Sequence, residues 1–128
     1  NENKAEPIQV ATLSNVKEIT TGYSHALALT KSGYVYAWGL GTNGQLGDGL
    51  GENSNVPIKV DGISNIVKID AYKNMSIALS SDGKVYVWGE GYSTLPMKVV
   101  FSEKVIDISG NLMLTLKGEV IYQIQLLQ

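Results

Sequence analysis

The chain has 128 residues, of which 44% are apolar, 12 are acidic and 10 are basic, so its formal net charge is -2. These values describe one folded domain or part of one, and the scattered charges argue against a nucleic-acid surface, which needs clustered basic residues. Cysteine is absent, which excludes disulfides and thiolate metal sites, and no apolar run approaches the roughly 20 residues that span a bilayer.

The first predicted elements are a linker and a lone strand. Residues 1–6 are mostly polar and are typical of a linker, and residues 7–10 (PIQV) form the first predicted strand. At the other end, residues 119–128 break off within an apolar pattern, which would leave a sheet edge open. We therefore interpret the chain as a fragment of a longer protein, with repeats filling residues 7–128.

Unit one, residues 11–60, contains four short segments that are rich in Val, Ile, Tyr and Ala and are bounded by turn residues. Such segments are typical of β-strands. The turn between the second and third segments ends in Gly33, and hairpins place glycine where φ is positive. The four predicted strands cover residues 16–20, 25–30, 34–38 and 58–60.

The same pattern returns after 50 residues in unit two, residues 61–100, where nearly every matched position is apolar or glycine. Its hairpin turn ends in Gly83, at the position that matches Gly33. Unit three, residues 101–128, is a degenerate copy at a spacing of 39, because a short connector replaces the long glycine loop. Gln123 stands there at the tryptophan position. The predicted strands of unit three cover residues 105–109, 112–116 and 119–125.

The sequence also predicts that these strands are buried on both faces. The segments VYAW and VYVW, at residues 35–38 and 85–88, do not alternate between polar and apolar residues. Repeated four-stranded antiparallel units that are covered on both sides predict an all-β fold, a β-propeller with about three blades. Since propellers close with roughly four to eight blades, the chain would be a partial propeller or half of an oligomeric ring.

The segment VYAWGLGTNGQLGDG, at residues 35–49, and the preceding ITTGYSHALALTKSG resemble the repeat of the regulator of chromosome condensation family. The resemblance spans residues 7–122 and weakens from unit one to unit three. It implies that each repeat contributes a four-stranded blade to a propeller.

The resembled family includes a nucleotide-exchange factor for a small GTPase, a plant ultraviolet-B photoreceptor and a secreted bacterial inhibitor of β-lactamases. The wedge and basic tail of the exchange factor have no counterpart in this sequence. The arginines of the photoreceptor are missing too, because every basic residue here is lysine. A bias towards Lys, Asn and Ile favours a bacterial member.

The predicted core centres on the two tryptophans. Trp38 and Trp88 each end a buried strand, and their large rings are expected to cover the core between blades. Gly39 and Gly89 follow them where the chain has to turn sharply. Leu46 is expected to turn inward and anchor the glycine loop.

Two segments carry weaker chemical signals. Ser24 and His25 lie in a sequence that loosely resembles a nucleophile elbow, but the final glycine and a following helix are missing. Asp48, Glu52 and Asn53 offer oxygen ligands of the kind that Ca²⁺ prefers, without the spacing of a calcium loop. We therefore expect no enzyme activity, no cofactor and no metal.

The expected function is a non-catalytic protein-recognition or scaffold module in a secreted or cell-surface bacterial protein. Tyr23, Tyr72 and Tyr92 fall near strand ends or loops, where exposed tyrosines commonly anchor a protein partner. Two alternatives stay open: repeats that serve only as a structural or assembly spacer, and an inhibitor-like binder of a secreted enzyme. Nucleic acid and membrane are not expected as partners.

Strand counting yields a testable prediction of self-association. Residues 7–10 match the fourth strand of a blade, whereas unit three lacks its fourth strand, and unpaired sheet edges seek partners. We expect a head-to-tail dimer in which residues 7–10 of one chain complete the third blade of another. Light scattering at micromolar concentration should report this dimer, and a folded monomer that is unchanged by deletion of residues 1–10 would contradict strand exchange.

Overall fold

The computed structural model of the chain describes residues 13–110 and 112–122. The strands of unit one are β1 (Val16–Thr21), β2 (His25–Thr30), β3 (Val35–Gly39) and β4 (Ser54–Lys59). The strands of unit two are β5 (Ile66–Tyr72), β6 (Met75–Ser80), β7 (Val85–Gly89) and β8 (Met97–Val99). The described strands of unit three are β9 (Val105–Ser109), β10 (Leu112–Thr115) and β11 (Val120–Tyr122).

Each unit folds into its own antiparallel sheet, in which the strands lie side by side in chain order. The first sheet has the order β1-β2-β3-β4, the second β5-β6-β7-β8, and the described part of the third β9-β10-β11. The register repeats as well, since His25 pairs with Gly39 in the first sheet and Met75 pairs with Gly89 in the second. The repeated sequence of units one and two therefore forms two sheets in which matched residues pair with each other in the same way.

Matched hairpins join the second strand to the third in both four-stranded sheets. Gly33 and Gly83 have φ angles of 88° and 87°, which confirms the predicted hairpin glycines. Glycine is required there because other residues rarely adopt a positive φ. The hydroxyl of Thr30 accepts a backbone hydrogen bond across the first turn, and the hydroxyl of Ser80 does the same across the second.

The hydrophobic core lies between the sheets. A first cluster consists of Leu27, Leu29, Val35, Ala37, Leu46, Val60, Ile63, Ile66, Ile69, Ala71, Ala78 and Trp88, and joins unit one to unit two. A second cluster consists of Met75, Ile77, Leu79, Val85, Val87, Val105, Ile108 and Met113, and joins unit two to unit three. Sheets that pack face to face in this way are the blades of a β-propeller, and the described residues form part of one.

Polar side chains link the first strands of the three sheets. Thr20 Oγ1 donates a hydrogen bond to Asp70 Oδ1 at 3.0 Å, and the Asp70 carboxylate accepts another from the backbone N–H of Gly110. Lys68 Nζ lies 2.6 Å from Asp107 Oδ1. This hydrogen bond raises the pKa of Lys68 and lowers the pKa of Asp107. Because both side chains of this ion pair are partly exposed, it adds little to the stability of the protein.

The described strands follow the predicted ones closely, with one clear difference. β4 begins at Ser54, before the predicted start at Ile58, because the chain leaving the glycine loop already pairs with Gly39. Several predictions fall outside the described residues: the linker at 1–6, the strand at 7–10 and the end of the last strand at 123–125.

The two tryptophans differ in burial, although the sequence predicted the same covering role for both. Trp88 is 0% exposed, whereas Trp38 is only partly buried. The reason is that unit one packs on the ring of Trp88, and no described residue covers the Trp38 ring in the same way.

This difference generates a prediction about stability. Trp88→Ala should lower the free energy of unfolding by about 3–5 kcal/mol, the usual loss for truncation of a buried aromatic ring. Trp38→Ala should cost about 1–2 kcal/mol, because part of its ring is already in water. Urea denaturation of both variants measures the two losses, and equal losses would contradict the unequal burial.

Candidate partner-binding rim and the joint beneath it

One end of the sheets brings together the predicted contact residues. The β1–β2 and β5–β6 turns lie at this end, as do the β3–β4 and β7–β8 connections, because β2 and β6 begin opposite the ends of β3 and β7. We call this end the loop rim. Its residues are Tyr23, Ser24, Tyr72, Lys73, Asn74, Glu90 and Tyr92.

Tyr23 stands out on the loop rim because its side chain is 71% exposed while its backbone is fixed. The Tyr23 N–H donates a hydrogen bond to the Lys73 carbonyl of the next blade at 2.9 Å. The preceding residue, Gly22, makes this approach possible, since a Cβ there would lie 2.4 Å from the Lys73 oxygen and 2.5 Å from the His25 ring. An exposed aromatic residue is therefore held at the junction of two blades.

The other two predicted contact residues are more sheltered. Tyr72 is partly buried against the second core cluster, and Lys73 Nζ lies 5.4 Å from the centre of its ring, within cation–π range. Tyr92 is also partly buried, and this burial raises the pKa of its hydroxyl. The structure thus brings all three tyrosines to one rim, with Tyr23 the most exposed of them.

Polar residues complete the rim on the second blade. Asn74 Nδ2 donates a hydrogen bond to Glu90 Oε1 at 2.9 Å, and the Glu90 N–H donates one to the Asn74 carbonyl at 3.1 Å. Together with Lys73, the exposed Glu90 places both signs of charge beside the tyrosines. Such a mixture of aromatic and polar groups is typical of protein-binding surfaces.

A buried polar joint between the first two blades supports the rim. The backbone carbonyl of Gln45, in the glycine loop, accepts hydrogen bonds from Trp88 Nε1 at 2.9 Å and from Ser76 Oγ at 2.8 Å. His25 Nε2 lies 3.0 Å from the same Ser76 hydroxyl. A serine hydroxyl has one proton, which here goes to Gln45, so His25 Nε2 must be the donor to Ser76. This assigns neutral His25 its proton on Nε2.

The glycine loop is folded tightly onto the second blade. Gln45 is fully buried, and its side-chain oxygen accepts a hydrogen bond from the Asn43 N–H at 2.8 Å. Leu46, at 1% exposed, sits in the first core cluster. Gly49 N–H donates to the Thr94 carbonyl of the second blade at 2.9 Å. The sequence predicted the inward position of Leu46 but not that of Gln45, whose signal was its place beside Leu46 between Gly44 and Gly47.

The residues that offered a nucleophile elbow or calcium ligands in the sequence make structural hydrogen bonds instead. His25 bonds to Ser76, while Ser24 is exposed and its carbonyl accepts the backbone N–H of Leu40. In the glycine loop, Asp48 Oδ1 accepts the Leu50 N–H at 3.1 Å, and Asn53 Oδ1 accepts the Gly41 N–H at 2.9 Å. These oxygens stabilise loop turns.

The described residues contain neither a group of potential metal ligands nor a helix that could span a membrane. Across residues 13–110 and 112–122, no three His, Cys, Asp or Glu side chains group as they would around a metal ion. Within the same ranges, no helix has the length and apolar character needed to cross a membrane.

Comparison with known proteins agrees with this architecture. Models of the regulator of chromosome condensation (RCC1) repeat match residues 16–45, 66–93 and 32–79. The regulator of chromosome condensation of Homo sapiens is 43% identical over 53 residues, which cover 41% of this chain and 13% of that protein.

Solved structures agree over a longer part of the chain. Human WBSCR16 superposes with a TM-score of 0.75 at 27% identity, over 82% of this chain and 32% of that one. Prp20p of Saccharomyces cerevisiae superposes with a TM-score of 0.70 at 26% identity, over 82% of this chain and 31% of that one.

The fold and these matches define the chain as part of a β-propeller protein. The chain belongs to the regulator of chromosome condensation (RCC1) repeat family. It spans less than a third of the length of each of the three proteins named above.

The buried histidine generates a prediction about pH. Burial lowers the pKa of His25 below 6.5. Because the folded pKa is lower than the unfolded one, His25 favours folding fully above pH 6.5 and loses this contribution as the pH falls below it. The melting temperature should therefore drop between pH 7.5 and pH 5.5, a range above the titration of ordinary carboxylates.

Unit two supplies the matched control, since Met75 stands at the position of His25. In His25→Met, the melting temperature should vary less over the same pH range. An undiminished pH dependence in this variant would assign the effect to other groups.

Proposed function

We propose that this chain recognises a protein partner through its loop rim, with Tyr23 as the central contact. The observation that carries the proposal is the combination found at Tyr23, a side chain that is 71% exposed on a backbone that is hydrogen-bonded to the next blade. A rigid exposed aromatic residue loses little conformational entropy on binding, which is why tyrosine is frequent among the dominant contacts of interfaces.

The grouping of the tyrosines favours recognition over a purely structural spacer. Tyr72 and Tyr92 lie on the same rim as Tyr23 and supply partly buried aromatic surface on the second blade. A spacer needs no such concentration of aromatic and charged groups at one end of its sheets. The family relationship supports a protein partner as well, since the Prp20p structure is described together with binding to Gsp1p and histones.

The role proposed here is non-catalytic, because the polar groups of the joint are engaged in holding the blades together. His25, Ser76 and the Gln45 carbonyl form one hydrogen-bonded chain between unit one and unit two. A secreted or cell-surface location in a bacterium is part of the proposal and rests on composition alone.

Photo-crosslinking at two positions tests the recognition surface. A benzophenone amino acid at position 23, in cells that express the natural protein, should trap a partner as a discrete heavier band. The same residue at position 34 is the control, because Tyr34 is also exposed, lies beside a lysine, and occupies the opposite end of the sheets. Crosslinking at neither position would favour a spacer, and crosslinking at 34 alone would place recognition on the other end.

The trapped partner then permits a quantitative measurement. Tyr23→Ala should weaken its binding by about 10-fold or more, as expected for a dominant interface residue, while Tyr34→Ala should leave it unchanged. Equal affinities for the two variants would rule out Tyr23 as the central contact.

A further inference from the structure

The glycine loop of unit one contains the only Asn-Gly pair of the sequence, Asn43-Gly44. In such a pair the backbone nitrogen of the glycine can attack the side-chain amide carbon of the asparagine, because glycine has no side chain that would hinder the approach. A bond forms between Gly44 N and Asn43 Cγ, the Cγ–Nδ2 bond breaks, and the amide leaves as ammonia with the proton of the Gly44 N–H. One water molecule then opens the resulting succinimide ring to aspartate or isoaspartate. Asparagine is accordingly among the thermolabile residues of proteins.

The fold itself requires the reactive glycine. Gly44 has a φ of 82°, and a Cβ there would lie 2.9 Å from the Cα of Thr94, a main-chain atom of the second blade. A side chain at this position would therefore push the loop away from that blade. The preceding Asn43 is exposed. Close approach of the loop to the second blade thus places the most reactive kind of neighbour beside an exposed asparagine.

In the docked loop the attacking nitrogen is engaged. The Gly44 N–H donates a hydrogen bond to the Gly41 carbonyl at 2.9 Å, and Gly44 is buried. The nitrogen must lose this proton before it can attack, and a buried, hydrogen-bonded N–H gives up its proton slowly, as it does in hydrogen exchange. On the other side of the pair, the Asn43 N–H donates to the Oε1 atom of the buried Gln45 at 2.8 Å. The reaction therefore requires that the loop first leave the second blade.

Hydrogen bonds to the second blade hold the loop in place. The Gln45 carbonyl accepts one from Trp88 Nε1 and one from Ser76 Oγ, and the Gly49 N–H donates one to the Thr94 carbonyl. Departure of the loop breaks this joint. Since deamidation is far slower than the opening and closing of a loop, its rate follows the equilibrium population of the open joint.

We propose that Asn43 is a modification site, deamidated only when the joint between the first two blades is open, and that its conversion to isoaspartate prevents the joint from closing again. Isoaspartate adds one methylene group to the main chain, within the turn that the Gly44 N–H closes on the Gly41 carbonyl. This turn leads directly into Gln45. The lengthened chain no longer brings the Gln45 carbonyl to both of its donors on the second blade, so a transient opening becomes a permanent one.

Mass spectrometry of the intact, folded chain during incubation at neutral pH tests the protection. Replacement of an amide by a carboxyl group raises the mass of the proteolytic fragment that contains residue 43, whereas isomerisation of the Asp-Gly pairs leaves the mass unchanged. Deamidation should be slower by about 10-fold or more than in an end-blocked linear peptide of residues 39–49, because the reactive N–H is hydrogen-bonded in the fold. Equal rates in the chain and the peptide would overturn the proposal.

Two serine variants on β6 test the role of the joint. Ser76→Ala removes one donor from the Gln45 carbonyl and should accelerate deamidation by about 3- to 10-fold. Ser80→Ala is the matched control, since Ser80 is also buried but accepts the Lys84 N–H in the hairpin at the other end of the strand. This control should react at the natural rate. Equal acceleration by both variants, or by neither, would overturn control by the joint. Circular dichroism verifies that each variant is folded, and Trp88→Phe, which removes the other donor, replaces Ser76→Ala if that variant is not.

The modified chain itself tests the consequence of the reaction. The isoaspartyl form, isolated by ion-exchange chromatography, should exchange its Trp88 indole N–H about 10-fold faster or more in NMR measurements, because the indole has lost its acceptor. Asn43→Asp brings the same new charge without the added methylene group. Because Asn43 is exposed, Trp88 in this variant should exchange as in the natural chain. Unchanged exchange in the isoaspartyl form, or equally fast exchange in Asn43→Asp, would contradict the proposed effect on the joint.

Discussion

The arrangement of the first two blades depends on the satisfaction of one buried backbone carbonyl. The carbonyl of Gln45 lies in a fully buried residue, where an unbonded polar group would be costly, and both of its hydrogen bonds come from the neighbouring blade. Trp88 in turn gains from this carbonyl the acceptor that its buried indole needs. Each partner thus supplies the hydrogen bond that the other needs when buried, and the joint couples the stability of the two blades.

The joint also explains why the exposed rim can be ordered. Ser76 connects the Gln45 carbonyl to His25, and the ring of His25 leaves room above it only for a glycine at position 22. The next residue, Tyr23, is then fixed through its backbone to Lys73. A continuous series of contacts thus leads from the buried carbonyl to the most exposed tyrosine of the rim, so a change in the joint is expected to alter the presentation of Tyr23.

The sequence predicted those features that a single unit determines by itself. Strand positions followed from short apolar segments between turns, and the hairpins at Gly33 and Gly83 followed from the requirement for positive φ. The features it could not predict belong to pairs of units. Gln45 looks solvent-exposed among loop glycines and is buried only because another blade lies against it. Trp38 and Trp88 share nearly the same local sequence, yet their burial differs because it is set by the neighbouring unit.

The second joint shows how such repeats can diverge without loss of the fold. Between unit two and unit three, apolar contacts of Met75 and the ring of Tyr72 against Gly110 replace the buried polar network. The ion pair between Lys68 and Asp107 still connects the first strands of these sheets.

Apolar packing tolerates exchange of side chains better than a network in which every group requires its partner. Because each blade contacts only its neighbours, one joint can lose its loop and tryptophan while the adjacent joint keeps both. The rim consequently has a different composition over each joint, and this gives the repeats a means of acquiring a specific binding surface on a common scaffold.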